Sequence, residues 1–191
     1  HLLAQGELRR VVEKFACPDP DFETLQVGLV AEFSACFGAV EIDNFARLCG
    51  DWNPQHVDDD YARRRRFRRR VAHGMLVASV ISRAAGMHFP GKQSLVMQVE
   101  QITFHDPVME DEELRCITTI AEVQRVFRVL ILDVRLFGRY GKPKMTSRLK
   151  VQYRPRAEAP NSAVTVENVM QSDLSGHVAL VTGASRGIGA A

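Results

Sequence analysis

The spacing of apolar positions changes period along this chain. Gln26 to Phe37 has strand character, carried by Val27, Leu29, Val30 and Phe33, and closes at Gly38. Ile42, Phe45, Ala46 and Cys49 then recur at helical spacing and predict a helix over 41–49 with those residues inward, stopped by Gly50. A short helical segment is expected near Asp58, where three consecutive aspartates suit a helix N-terminus. From Gly74 to Met87 the polar face almost disappears: Met75, Leu76, Val77, Ala78, Val80, Ile81, Ala84, Ala85 and Met87 leave a helix that is buried on nearly all sides. Gly86 and then Pro90-Gly91 end it. A period of two follows. Leu95, Met97 and Val99 share a face, and after Glu100 the parity switches to Ile102 and Phe104, which predicts a bulge. Leu114, Cys116, Thr118 and Ile120 alternate. Val126 to Phe137 is nearly continuous apolar, as for a strand covered on both faces. Met145, Leu149, Val151 and Tyr153 alternate with polar neighbours, and Asp106-Pro107, Gly138 and Gly141-Lys142-Pro143 mark the turns of an antiparallel meander.

The order is strand, short helices, one apolar helix, then antiparallel strands. A sheet curled around that helix accounts for all of it, so the expected fold is α+β, a single hotdog domain over 25–154. Residues 1–24 read as a helical lead-in, with Leu2, Leu3, Val11, Val12 and Phe15 on one face. Residues 155–174 read as a linker rich in Pro, Ala, Asn and Ser. Over 175–191 the apolar run Val178-Ala179-Leu180-Val181 leads into Thr182-Gly183-Ala184-Ser185-Arg186-Gly187-Ile188-Gly189. Strand, glycine-rich turn and helix start suit a pyrophosphate, and the run resembles the opening of a short-chain dehydrogenase/reductase. It implies the truncated start of a Rossmann-type reductase domain, covalently linked in a longer polypeptide.

Composition narrows this little. Hydrophobic content of 46% and charged content of 25% are those of a globular protein, and a net charge of +2 is no polyelectrolyte. No apolar run approaches the ~20 residues that span a bilayer, so no membrane segment is expected. Cys17, Cys36, Cys49 and Cys116 form no CxxC pair and read as free thiols in a reducing, cytoplasmic compartment.

The candidate chemistry lies in Gly50-Asp51-Trp52-Asn53-Pro54-Gln55-His56 and in Ala72-His73-Gly74-Met75-Leu76. An acid and a base share an irregular loop, and the apolar helix begins with glycine, so exposed helix N–H groups stand nearby. That combination suits proton transfer on a carbonyl-activated substrate. These segments, with Tyr61-Ala62 and Pro90-Gly91, resemble in order and spacing the MaoC-like dehydratases, which include the (R)-specific enoyl-CoA hydratases and 3-hydroxyacyl thioester dehydratases. The resemblance covers about residues 25–154. It implies syn addition of water to a trans-2-enoyl thioester, with Asp51 and His56 as the catalytic pair and the Gly74 N–H on the thioester oxygen. No metal or redox cofactor is required. By the same resemblance Asn53 shapes the loop and Ser82 occupies an auxiliary polar position. His73 reads as the residue that positions the loop before the helix. His88, His105 and His177 have no supporting context.

Two departures stand out. Gln55 replaces a usually aliphatic residue, and Arg63 to Arg70 is far more basic than usual, interrupted only by Phe67. The arginines fit a solvated face partly neutralised by Asp58, Asp59 and Asp60, or recognition of acyl-CoA phosphates or an acidic acyl carrier protein, in which case Arg66 and Arg69 join Asn53, His73 and Ser82 as the expected substrate-binding residues. Both readings stay open. Nucleic acid is not expected, for want of an aromatic platform beyond Phe67. The alternatives in function are a hotdog acyl thioesterase, or a non-catalytic acyl-carrier docking or dimerisation module. A lone hotdog leaves a sheet edge and a face uncovered, which predicts a homodimer with a continuous sheet.

Overall fold

The computed structural model describes residues 17–155. The expected lead-in helix before Cys17, nearly all of the expected linker, and the reductase-like tail lie outside these residues.

A five-stranded antiparallel sheet carries the domain, in the order β1-β3-β4-β5-β2. Its strands are β1 (Val30–Ala35), β2 (Ser94–Phe104), β3 (Leu114–Gln124), β4 (Val129–Phe137) and β5 (Pro143–Tyr153). The residues that β3, β4 and β5 bury on one face, among them Cys116, Ile120, Leu132, Val134, Leu136, Met145, Leu149 and Val151, form the core with the apolar helix. Fold neighbours in the hotdog class, described below, agree with the expected α+β architecture.

The helix predicted over 74–87 exists as two segments, α4 (Gly74–Ala78) and α5 (Val80–Met87), joined at Ser79. It is not buried on nearly all sides. Leu76, Val77, Ala78, Val80, Ile81, Ala84 and Ala85 are buried, but Met75, Ser79, Ser82 and Arg83 form an exposed stripe at helical spacing. The edge strand β2 leaves that side open. Its pairing explains why. Val96 is opposite Val151 and Val99 opposite Leu149, so both point toward the helix side of the sheet, while Leu95 opposes Gln152 on the other face. The register shifts between Val96 and Gln98 and again between Val99 and Gln101. The second shift is the bulge expected at Glu100. The first shows that Leu95 and Val99 do not share a face. Val96, Val99 and Phe104 remain 38%, 41% and 47% exposed, an apolar inner surface left uncovered.

Two further expectations are corrected. The strand expected from Val126 starts at Val129, because Arg125–Arg128 is the hairpin turn, with Arg128 at φ 50°, and Val126 and Phe127 are exposed at its tip. Cys49 is exposed and not on the inner stripe of α1 (Ala39–Cys49), which buries Ile42 and Ala46. Gly50 ends α1 as expected, at φ 79° in the left-handed region, and its N–H donates to the Ala46 carbonyl at 2.8 Å.

Candidate active site

The site is built on the turn after α1. The Asp51 carboxylate accepts from the Asn53 N–H at 3.1 Å, folding the turn on itself. The Asn53 side chain then caps α2 (Pro54–Val57) by accepting from the Gln55 N–H at 3.2 Å, and Pro54 sits at the first helical position, where a missing N–H is harmless. Asn53 thus fixes the turn into α2 by this cap. The same chemistry repeats at Asp58, which caps α3 (Asp59–Arg64) through the Tyr61 N–H at 2.9 Å.

This brings His56 to a buried position 3.9 Å from the Asp51 carboxylate, measured Nε2 to Oδ2, while Asp51 stays half-exposed. The His56 Nδ1 lies 2.6 Å from the Val71 carbonyl. A carbonyl only accepts, so Nδ1 carries the proton and Nε2 carries the lone pair. Burial pushes the His56 pKa below its ordinary value, aided by His73, against opposing contributions from the Val71 hydrogen bond and Asp51. The ring is therefore neutral at pH 7, with its basic nitrogen turned toward Asp51. The Gln55 carboxamide nitrogen lies 3.2 Å from that same Nε2, so it donates to the lone pair. Gln55 thus faces the reactive nitrogen; it does not pack behind the ring.

His73 stacks on His56 with ring centroids 3.9 Å apart, and the Phe45 ring of α1 lies tilted against His73 at 5.1 Å. The His73 Nε2–H donates to the Asp51 backbone carbonyl at 3.0 Å, tying the loop to the start of α4. Its Nδ1 is buried without a partner. Asp51, His56 and His73 place ligand-type atoms within 4.8 Å of one another. Stacked imidazoles aim their in-plane lone pairs side by side, not at a common point, so the trio does not fit a metal chelate.

Gly74 follows as the first residue of α4 and is exposed. Its N–H belongs to the first helical turn, where no intrahelical acceptor exists. A Cβ here would meet the Phe104 ring at 3.4 Å. Ser82 lies on the exposed stripe that starts at Met75. Arg66 and Arg69 stand elsewhere. They line a surface cleft of about 750 Å³ with Asp106, Glu110, Glu112 and Tyr140, and neither Asp51, His56 nor Gly74 borders it. Arg69 is ion-paired with Asp111.

The arginine run is not one solvated face. Arg63 does pair with Asp59 and Asp60 at 3.8 and 3.9 Å. Arg70, by contrast, is buried between α1 and the β2–β3 loop, with Glu110 at 2.6 Å and Asp43 at 2.8 Å. Lys144 is also buried and holds Asp106 at 2.7 Å and Glu112 at 2.8 Å. The pinned loop pairs with the segment before His73: the Ala72 N–H donates to Val108 and the Glu110 N–H to Arg70, while the Val71 N–H donates back to the Gln55 carbonyl at 3.0 Å. Neither anchor is read from the sequence, because their acids lie 27 to 40 residues away.

Comparison with known proteins supplies the family. The MaoC like domain family matches residues 24–135. The chain belongs to that family. An (R)-specific enoyl-CoA hydratase of Aeromonas caviae is 32% identical over 130 residues, 68% of this chain and 96% of the relative. A mitochondrial 3-hydroxyacyl-[acyl-carrier-protein] dehydratase of Arabidopsis thaliana is 38% identical over 98 residues, 51% of this chain and 57% of the relative. The solved structure of an unliganded R-hydratase from Pseudomonas aeruginosa superposes with a TM-score of 0.68 at 25% identity, covering 78% of this chain and 99% of that one.

Proposed function

We propose that this MaoC-like domain is a hydro-lyase that reversibly adds water to a trans-2-enoyl thioester, giving the (R)-3-hydroxyacyl thioester. The observation that carries the reading is the neutral His56 with its lone pair turned toward Asp51 at 3.9 Å, beside the free N–H groups that open α4. One water bridging the two groups is held for attack on Cβ. As the C–O bond forms, the pair takes a proton from that water. The electrons of the double bond move onto the thioester, and Cα takes a proton from the same pair, so the reaction balances without a cofactor. The Gly74 N–H stabilises the charge that develops on the thioester oxygen, where one such donor is worth on the order of 3 kcal/mol of barrier.

The acyl chain is read along the exposed stripe of α4 and α5, past Ser82 and opposite Val96 and Val99. Arg66, in the charged cleft, is the residue read as a phosphate contact, for acyl-CoA or acyl carrier protein alike. Arg69 is already neutralised by Asp111. A homodimer through the free β2 edge would cover the apolar surface that β2 exposes. The reductase-like tail would supply the 3-hydroxyacyl thioester, since reduction of a 3-oxoacyl thioester makes it.

A thioesterase of this fold would need a carboxylate on the central helix, and Gly74–Met87 has none. The deciding assay supplies crotonyl-CoA and follows both the enoyl absorbance and free thiol. Enoyl loss without thiol release is expected. Thiol release with the enoyl group intact would make the domain a thioesterase, and binding without either would make it a docking module.

A further inference from the structure

The geometry points to Gln55 as a latch on the reactive nitrogen: its carboxamide fills the His56 Nε2 lone pair and must be displaced each time a reacting oxygen arrives. This rests on the hydratase reading above.

An imidazole nitrogen offers one in-plane lone pair, and it accepts one good hydrogen bond. The Gln55 amide nitrogen occupies it at 3.2 Å. The Val71 carbonyl fixes the proton on the other ring nitrogen, so the amide cannot be read the opposite way round without facing an oxygen toward a lone pair. The water that Asp51 and His56 must share needs that same direction. Amide and water therefore compete. The backbone of Gln55 is fixed twice, by the Asn53 cap on its N–H and by the Val71 N–H on its carbonyl, so release is a side-chain rotation and the loop stays in place. The side chain is only partly buried, which leaves room to swing out. The titratable groups that face His56 are Asp51 from the loop and His73 stacked on the ring.

Two substitutions pull in opposite directions. Gln55→Leu removes the competing donor, and kcat/KM for crotonyl-CoA hydration is expected to rise roughly threefold to tenfold, the worth of one neutral hydrogen bond. Gln55→Glu puts an acceptor there, holds His56 as imidazolium, and moves the acidic limb of the kcat/KM profile up by about one pH unit or more. Nitrogen-15 spectra of His56 give a readout apart from activity. The wild-type Nε2 is expected as an unprotonated nitrogen hydrogen-bonded to the Gln55 carboxamide, with a scalar coupling between the two nitrogens; in Gln55→Leu that coupling is absent and Nε2 takes its hydrogen bond from water. A structural role alone would lower both variants at every pH without moving the limb, and that result, or a fall in kcat/KM for Gln55→Leu, overturns the latch. A wild-type Nε2 without that coupling in an active enzyme also overturns it. The coupling in a chain that consumes no enoyl thioester overturns the hydratase reading instead.

Discussion

His56 donates its Nδ1–H to the Val71 carbonyl at 2.6 Å, and Val71 in turn donates its N–H to the carbonyl of Gln55. This reciprocal tie joins the two halves of the site across fifteen residues of chain. It fixes the tautomer that leaves Nε2 able to accept a proton. What holds Val71 in place is its neighbour Arg70, locked between two carboxylates.

Replacing Arg70 should therefore loosen both fold and site. Arg70→Met leaves the largely buried Glu110 carboxylate without its cation, and breaking a buried pair from one side costs about 3 kcal/mol. Urea unfolding should show that loss, and Arg70→Met/Glu110→Leu should recover part of it. A single variant as stable as wild type would contradict the anchor.

Gly74→Pro separates fold from chemistry. Gly74 is the first helical residue, a position proline favours, and His73 before it has φ −58° and ψ 137°, which suits a residue preceding proline. The helix should survive with Tm within a few degrees. The N–H is gone, so kcat should fall about 10²- to 10³-fold. Full activity in a folded Gly74→Pro would remove this donor from the mechanism.

Acid should destabilise the domain in two stages. Burial lowers the pKa of His56 and, with Arg83 nearby, of His88, so the unfolded chain binds their protons more readily. Stability should decline as pH falls through about 6.5. Ion pairs lower Asp106 through Lys142 and Lys144, and Asp133 through Arg148. Their contribution is present above about pH 3.9 and is lost below it as they are protonated. Urea midpoints from pH 8 to 3 measure both stages, and a flat profile between 8 and 5 would contradict the first.

Among the described residues β2 is an edge strand, with Leu95 and Met97 43% and 58% exposed, and it should pair with that of a second copy. Light scattering at micromolar concentration should give twice the chain mass. Leu95→Lys/Met97→Lys should give a monomer. A monomeric wild type would contradict the continuous sheet.

Much of this was legible in the residues. The change from helical to alternating period marked the central helix and the late strands, and the parity switch at Glu100 marked a bulge, because side-chain direction leaves a trace in sequence. Asp51, His56 and Gly74 stood out because Gly50 and Pro54 make their loop irregular and a glycine opens the apolar helix, and the resemblance to the MaoC-like dehydratases is what gave them roles. What escaped was set by contacts distant in sequence. Arg70 belonged to a run read as a solvated face or a phosphate contact, and Lys144 carried no reading of its own, until Glu110, Asp43, Asp106 and Glu112 are placed beside them. The direction of the Gln55 side chain depends on a lone pair that only the Val71 carbonyl defines. The open stripe of Met75, Ser79 and Ser82 could not be seen while the helix was taken as wrapped on every side; it exists because β2 is an edge.

The central claim is that Asp51 and His56 together move the protons of hydration. Initial rates on crotonyl-CoA, with wild type, Asp51→Asn and His56→Ala, test it most directly. Each variant should fold, and each should lose about 10²- to 10⁴-fold in kcat/KM. Wild-type rates in both folded variants would contradict the account.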